Sequence, residues 1–457
     1  MQNWAVAELE TVKFGDRRLK YRLMRIVERM VERPALSIPA ACKNWAETKA
    51  TYRFLSSDKV EAEAIRAAHR EKTMERLQGE TGILVAQDTT ELNYSSHKKK
   101  EGLGGLRHPG ERGLYVHSGL AIRLDGVPLG LLYQEVWARS IRSERSKEER
   151  HATSTKEKES QRWINTLAAC REHIPENIQT ILVADREADM YDLFAAPRSS
   201  QLHLLVRAVQ NRRIDHPATY LKQAVSELGI AGQMSVEVGR QGERAPRTAH
   251  LEIRYLNVEI LPPHRGLYRK GAQPISVWVI LAQESSPPAG EEPISWWLLT
   301  TLSIRTLEEA QRCIRWYSYR WLIERYHFVL KSGCRIERLQ LENAQRLERA
   351  IATYAIVAWR LLWLTYQARL APEQSCAIAL ETFEWQSLCC TVLRSATPPQ
   401  QPPSLQLAIL YIAKLGGFLA RKGDGPPGVQ TIWRGLNRLS DIAATWRLLH
   451  PSDVGNG

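Results

Sequence analysis

Apolar positions at the start of the chain recur at helical spacing. Leu19, Leu23, Ile26, Val27, Met30 and Val31 repeat on one side with Arg and Lys between them, which predicts an amphipathic helix. Asp16 is a fitting N-cap, and Pro34 stops the helix after about Glu32. A segment with Trp45 and Tyr52 to Phe54 follows, then a second helical pattern from about Glu61 to Leu77.

From residue 82 the period changes to that of strands. Gly82 to Asp88 (GILVAQD) is a buried run ending in a carboxylate, and Leu114–Leu124 and Pro128–Trp137 read as two strands joined by a turn at Asp125–Gly126. A helix is expected over about Lys156–Glu172. Ile178 to Asp185 (IQTILVAD) is a further apolar strand ending in Asp, a short helix begins near Glu187, and Leu202–Arg207 is a fifth strand. Three hairpin-connected strands, helix, strand, helix, strand is the order of the ribonuclease H-like fold, an α/β class with a mixed sheet. Residues 210–303 read as a β-rich insertion, with strands expected at Ser235–Val238, His250–Leu261, Ile275–Leu281 and Trp296–Leu302. A helix from about Leu307 to Lys331 and mostly helical sequence follow. Pro398–Pro403 is the clearest linker.

Composition narrows the class. A chain of 457 residues exceeds one simple core, and 44% apolar with 25% charged residues excludes wholesale disorder. Its 63 Lys and Arg against 50 acids give a formal charge of +13, which suits a polyanion: nucleic acid first, an anionic membrane surface second. Three short N-terminal helices with basic faces are similar to a helix-turn-helix module, although a helical cap on the next domain has the same pattern. The seven cysteines form no CxxC pair and are odd in number, so reduced core thiols are expected. The N-terminus lacks the apolar run of a signal peptide, and no stretch of about 18 apolar residues suggests a membrane span. A soluble cytoplasmic protein is the expectation.

Asp88 and Asp185 close two buried strands, where α/β sheets commonly place sites. Singly, each is as compatible with a turn or helix start. In WYSYRWLIERYHFVLKSG, Tyr317, Arg320, Glu324 and Lys331 lie at offsets 0, 3, 7 and 14. At about 100° per residue these project within roughly 60° of one another, which puts them on one face of a continuous helix. A solvated charged face is the competing explanation.

YxxRxxxE with a Lys seven residues later resembles the signature of bacterial DDE transposases of the insertion-sequence-four family. The likeness extends in order through QDTTELNY, YVHSGL, GLLYQEVW, ADREADMYD, LVRA, WWLLTT, YRWLIERYHFVLKSG and KLGGFLARK, over roughly residues 10 to 440. It implies that Asp88, Asp185 and Glu324 are the metal-binding catalytic triad. They would hold two Mg²⁺ ions, with Mn²⁺ as a substitute, at a spacing of about 4 Å that suits phosphoryl transfer. It implies phosphate contacts from Tyr317, Arg320 and Lys331, DNA contacts from Arg207, Arg212 and Arg213, and a flipped base held by Trp296. Glu187 and Asp189 read as residues that cap or solvate the next helix, and His117 and His327 as structural. Lys98–Lys100 and Arg107–Arg112 lie in a loop that could follow a DNA backbone or simply be solvated. The family organisation implies a helical DNA-binding domain (1–75), a ribonuclease H-like catalytic core (76–370) with the insertion, and a C-terminal helical dimerisation region (371–457). The implied function is cut-and-paste transposition by a homodimer on double-stranded DNA, through nicking, hairpin formation and opening, and strand transfer into target DNA. A non-catalytic DNA-binding regulator and a structure-selective nuclease are the rival functions.

Overall fold

The computed structural model describes residues 4–139, 159–238, 247–263 and 271–451. Five helices open the chain: α1 (Trp4–Glu8), α2 (Arg17–Glu32), α3 (Ile38–Ala41), α4 (Trp45–Ser56) and α5 (Ala62–Arg76). Strands β1 (Gly82–Asn93), β2 (Gly104–Gly105), β3 (Arg112–Arg123) and β4 (Pro128–Trp137) follow. Next come α6 (Gln161–His173), β5 (Gln179–Ala184), α7 (Tyr191–Ala195), β6 (Leu202–Arg207) and α8 (Leu221–Ser226). The β-rich stretch is β7 (Gly232–Val238), β8 (Arg247–Ile260), β9 (Ile275–Glu284) and β10 (Ser295–Thr300). The chain ends with α9 (Leu307–Ser318), α10 (Trp321–Phe328), α11 (Ala344–Leu370), α12 (Thr382–Leu393), α13 (Leu405–Leu415) and α14 (Val429–Leu449). The elements divide into two packing units. Residues 1–78, 89–141 and 324–457 form the first, and 79–88 with 142–323 the second.

In the first unit α11 is the organising element. Every residue from Ala350 to Leu362 on it is buried, so it is a core helix covered on all sides rather than an amphipathic surface one. It packs on α2, α4, α5, β4, α13 and α14. The N-terminal helices are fixed to this core by polar groups as well. Asp16 caps α2 by accepting from the Arg18 N–H at 2.9 Å, as expected from sequence. Buried Glu8 of α1 accepts from His69 of α5 at 2.5 Å and from Arg76 at 2.8 Å, while His69 Nε2 accepts the Leu131 N–H of β4 at 3.0 Å. That last bond fixes the neutral tautomer, with the proton on Nδ1 facing Glu8. Burial alone would raise the Glu8 pKa, but His69 and Arg76 hold it down to about 2.

At the C-terminal end α13 and α14 cross with almost no gap. A Cβ on Gly435 would lie 1.8 Å from the Ile412 carbonyl oxygen, and one on Gly416 would lie 1.9 Å from that of Thr431. Glycine is needed at both places because backbone meets backbone. The apolar face of Leu405–Arg421 is mostly spent here, with Leu405, Ala408, Ile409, Ile412 and Ala413 buried inside the unit.

The second unit is built on the first half of β1. Gly82 to Ala86 pairs parallel with Gln179 to Val183 of β5, and β5 pairs parallel with β6. The sheet then continues antiparallel through β10, β9, β8 and β7. The β-rich segment is therefore no separate layer: β10 pairs with β6, so the insertion extends the sheet already present. In the first unit β3 neighbours β1 and forms a hairpin with β4. An antiparallel hairpin followed by parallel strands with intervening helices is a ribonuclease H-like α/β arrangement.

Two expectations change in detail. β1 does not stop at Asp88 but runs to Asn93, carried on by the β-branched Thr89 and Thr90. The single helix expected over Leu307–Lys331 is broken. The N–H groups of Tyr319 and Arg320 donate to carbonyls three residues back, and the end of α10 widens into a π turn at Val329–Gly333. The expected start of α6 near Lys156 lies outside the described residues. All seven cysteines are buried and unpaired, as core thiols should be. Among the described residues no helix is long and apolar enough to cross a membrane.

Candidate active site

Register brings the first two carboxylates together. Asp185 follows Asp88 by 97 positions (185 − 88). Each paired couple from Gly82↔Gln179 to Ala86↔Val183 has that same offset. Carried on by two residues, the register sets Asp88 beside Asp185. Neighbouring strands lie about 4.8 Å apart, and positions of equal parity share a face of the sheet. Burial along β1 falls from complete at Gln87 to partial at Asp88, so the carboxylate stands where the strand leaves the core.

Asp185 lies one residue beyond β5 and caps the tight turn Arg186–Ala188, accepting the Glu187 N–H at 2.9 Å. Its pKa is raised, first by burial and then by the negative charges of Asp88 and Glu187. The Glu187 N–H and the Arg320 guanidinium oppose the rise. Two carboxylates side by side in a half-buried site disfavour each other's charge.

Cationic and aromatic groups surround this pair within the second unit. Tyr317 is 4% exposed, so its position does not belong to a solvated charged face, the competing explanation for this stretch. Its ring meets Trp296 edge-on at 5.3 Å, and the Arg320 guanidinium lies 5.9 Å from the ring centre. Burial raises the Tyr317 pKa, Arg320 and Arg207 pull it back, and Asp185 adds to the rise. Arg207, at the end of β6, donates to the Ser295 carbonyl at 3.2 Å. Asp88, Asp185, Arg207, Trp296, Tyr317 and Arg320 thus form one neighbourhood. Adjacent Trp296 and Trp297 face opposite ways on β10, and Trp297 has Lys222 6.0 Å from its ring.

Glu324 and Lys331 belong to the first unit. Glu324 is exposed in the first turn of α10. Lys331 Nζ donates to the Glu91 carbonyl of β1 at 2.9 Å and lies 3.7 Å from Glu337, which itself accepts the Asn93 N–H at 2.7 Å. Among the described residues no three His, Cys, Asp or Glu side chains stand close enough together to hold a metal ion.

Several basic and acidic residues have other occupations. Arg212, expected to touch DNA, is buried. Its Nε and Nη2 donate to Asp189 Oδ1 at 3.0 and 2.6 Å, and Nη2 also reaches the Asp189 carbonyl. Asp189 neither caps nor solvates a helix as expected. Besides Arg212 it accepts the N–H groups of Val209 and Gln210. Arg213 is partly exposed and bridges to Tyr220 through its backbone. Lys100 is no mobile loop cation: it is buried and donates to the carbonyls of Leu339 and Leu341 at 2.7 and 2.6 Å. His117 is buried against Thr89 at 2.8 Å, and His327 is buried too. The partnership of Asp189 with Arg212, and that of Glu337 with the Asn93 N–H of β1, had no local signal in the sequence, because each joins segments well separated along the chain.

Three family models match in order along the chain. Residues 1–60 match Transposase DNA-binding, residues 141–360 match the Transposase DDE domain, and residues 356–449 match the Transposase Tn5 dimerisation domain. The DDE match includes Asp185, Glu324, Tyr317, Arg320 and Lys331. Asp88 lies before it and is tied to Asp185 by the sheet register.

Proposed function

Because this chain belongs to the Tn5-type DDE transposases, we propose that it excises DNA at transposon ends and joins those ends to target DNA, with Asp88, Asp185 and Glu324 as its metal-binding carboxylates. The observation that carries this is the Asp88–Asp185 pair: two half-buried oxygen donors at one register, beside Arg207, Tyr317 and Arg320. Such a pair fits a hard divalent cation, whose charge offsets the repulsion that raises the Asp185 pKa. The DDE family uses divalent ions, and in this protein they would be Mg²⁺, two per site, with Mn²⁺ as a substitute. Held by Asp88, Asp185 and Glu324, the ions would supply Lewis acidity to the phosphoryl transfer.

The chain's own groups do the rest. Arg207 and Arg320 grip phosphate oxygens near the cut, and the buried Tyr317 hydroxyl gives one directed donor. Lys331 adds a point charge on the face of β1 that follows Asp88. Trp296 offers an indole to a displaced base, and Arg213 a contact to the backbone. Arg212 is left out, because its guanidinium is committed to Asp189. In this scheme residues 1–75 bind the ends, 76–370 hold the chemistry and 371–457 join two copies. The protein nicks, forms and opens a hairpin, and transfers the strand in the bacterial cytoplasm.

The test uses DNA carrying the inverted repeats that flank the coding region. With Mg²⁺ the protein cleaves this DNA and joins it to a target. Asp88→Ala lowers cleavage by at least about a hundredfold while retaining DNA binding, the scale of losing one strong transition-state stabiliser. Binding without cleavage by the unmodified protein in Mg²⁺ or Mn²⁺ would make it a non-catalytic regulator, and cleavage without joining would make it a nuclease.

A further inference from the structure

A second cationic site lies in the first unit, between the segment that follows α2 and the turn that follows α10. Leu36, Ile38, Pro39 and Tyr52 line one side of a cavity of about 280 Å³, and Arg335 and Arg338 line the other. The volume is near the lower bound of about 300 Å³ for small-molecule sites, so it suits one nucleotide unit rather than a duplex.

Both arginines are exposed, and neither has a side-chain hydrogen-bond or ion-pair partner among the described residues. Arg335 adopts φ 50, ψ 38, a left-handed conformation uncommon for a residue with a side chain. Strain of this sort gathers at ligand clamps and active sites. The turn Ile336–Arg338 that follows is firmly braced. Glu337 accepts the Asn93 N–H at 2.7 Å and lies 3.7 Å from Lys331 Nζ, while buried Ile336 accepts from the Tyr94 hydroxyl at 3.2 Å. The backbone of the turn that carries Arg338 and follows Arg335 is therefore held in place, while both guanidinium groups remain open to a ligand.

We propose that this cavity holds a single nucleotide of bound DNA, with its phosphate between Arg335 and Arg338 and its sugar against Leu36, Ile38 and Pro39. Charge complementarity selects the occupant. Two guanidinium groups without a side-chain partner among the described residues, over an apolar floor, match a phosphodiester with its sugar, and the chain as a whole carries +13. The cavity also joins the segment matching the DNA-binding model to the one matching the DDE model, so a single backbone contact would fix the DNA against both. This rests on the DNA-transposase function proposed above.

The experiment replaces single phosphates of the inverted-repeat duplex, one at a time, with neutral methylphosphonates and measures binding by the full-length protein. At one position the substitution weakens binding to the unmodified protein by roughly tenfold or more, the scale of a charged hydrogen bond. The Arg335→Ala/Arg338→Ala double variant binds the normal duplex correspondingly more weakly and is indifferent to the methylphosphonate at that position. Its salt dependence, as the slope of log K against log salt, is shallower by about 1. A double variant that melts like the unmodified protein but keeps its affinity and its full methylphosphonate pattern overturns the site. Failure of the unmodified protein to bind any duplex overturns the DNA function itself, a result distinct from loss of one contact.

Discussion

Arg212 and Arg320 both sit beside carboxylates, and their surroundings separate their roles. Arg212 is sealed against Asp189, which also accepts the N–H groups of Val209 and Gln210 and the Gln210 side-chain amide, so the pair is a structural joint. Arg212→Ala should destabilise the protein by about 3–5 kcal/mol by leaving the buried Asp189 charge without its counter-ion. The salt slope of DNA binding should not change, and chemical denaturation with a parallel binding titration checks both. Tyr317 is the converse case, a buried side chain with one polar atom near the proposed reaction. Tyr317→Phe keeps the edge contact with Trp296 and removes only the hydroxyl. Cleavage should fall about tenfold or more with an unchanged melting temperature, whereas Tyr317→Ala should also cost about 3–5 kcal/mol of stability. The sequence identified both residue types as interesting, but local spacing carries no information on burial. For that reason the basic run Arg212–Arg213 does not reveal that one arginine is buried and the other partly exposed.

At the level of elements, period and punctuation were legible. Asp16, Pro34 and the change to alternating or continuous apolar runs located α2 and the strands to within a few residues. The break at Tyr319–Arg320 was not, because Trp, Tyr and Arg are all acceptable helix residues and nothing local forces the tight turn. Polar joints between elements were likewise invisible. The Glu8–His69–Arg76 joint carries a pH signature. The Glu8 pKa is depressed to about 2 in the fold, below its ordinary value of 4.5. Stability gained from its ionised form is fully present above about pH 4.5 and is lost as pH falls through about 2. Glu8→Gln should remove this acid-sensitive part, worth on the order of 3 kcal/mol, and flatten the unfolding free energy between pH 5 and pH 2. Urea unfolding over that range reads it directly.

For the molecule as a whole, length and charge pointed to a multi-domain chain with a polyanionic partner, nucleic acid first, and the matched DNA-binding model agrees. The packing units nevertheless do not follow the boundaries suggested by sequence. Buried on all sides, α11 gathers N-terminal and C-terminal helices into one core, and such long-range packing leaves no trace in local composition. Within the matched dimerisation segment, Leu407 lines a groove of about 620 Å³ with Leu410 and Phe418, and Leu419, next to Phe418 in the chain, is exposed as well. Leu407→Asp with Leu419→Asp should weaken self-association on DNA by at least about tenfold while leaving the monomer folded, as sedimentation velocity and circular dichroism would show. The shared register of β1 and β5 has an evolutionary corollary. The chain between these strands can lengthen or shorten without separating the two aspartates, because the hydrogen-bond ladder and not the connecting loop sets their meeting point. One residue inserted within either strand would instead turn its acid to the opposite side of the sheet. Among divergent relatives the number of residues between the two acids should therefore drift freely, while their distance from the paired apolar run before each stays fixed.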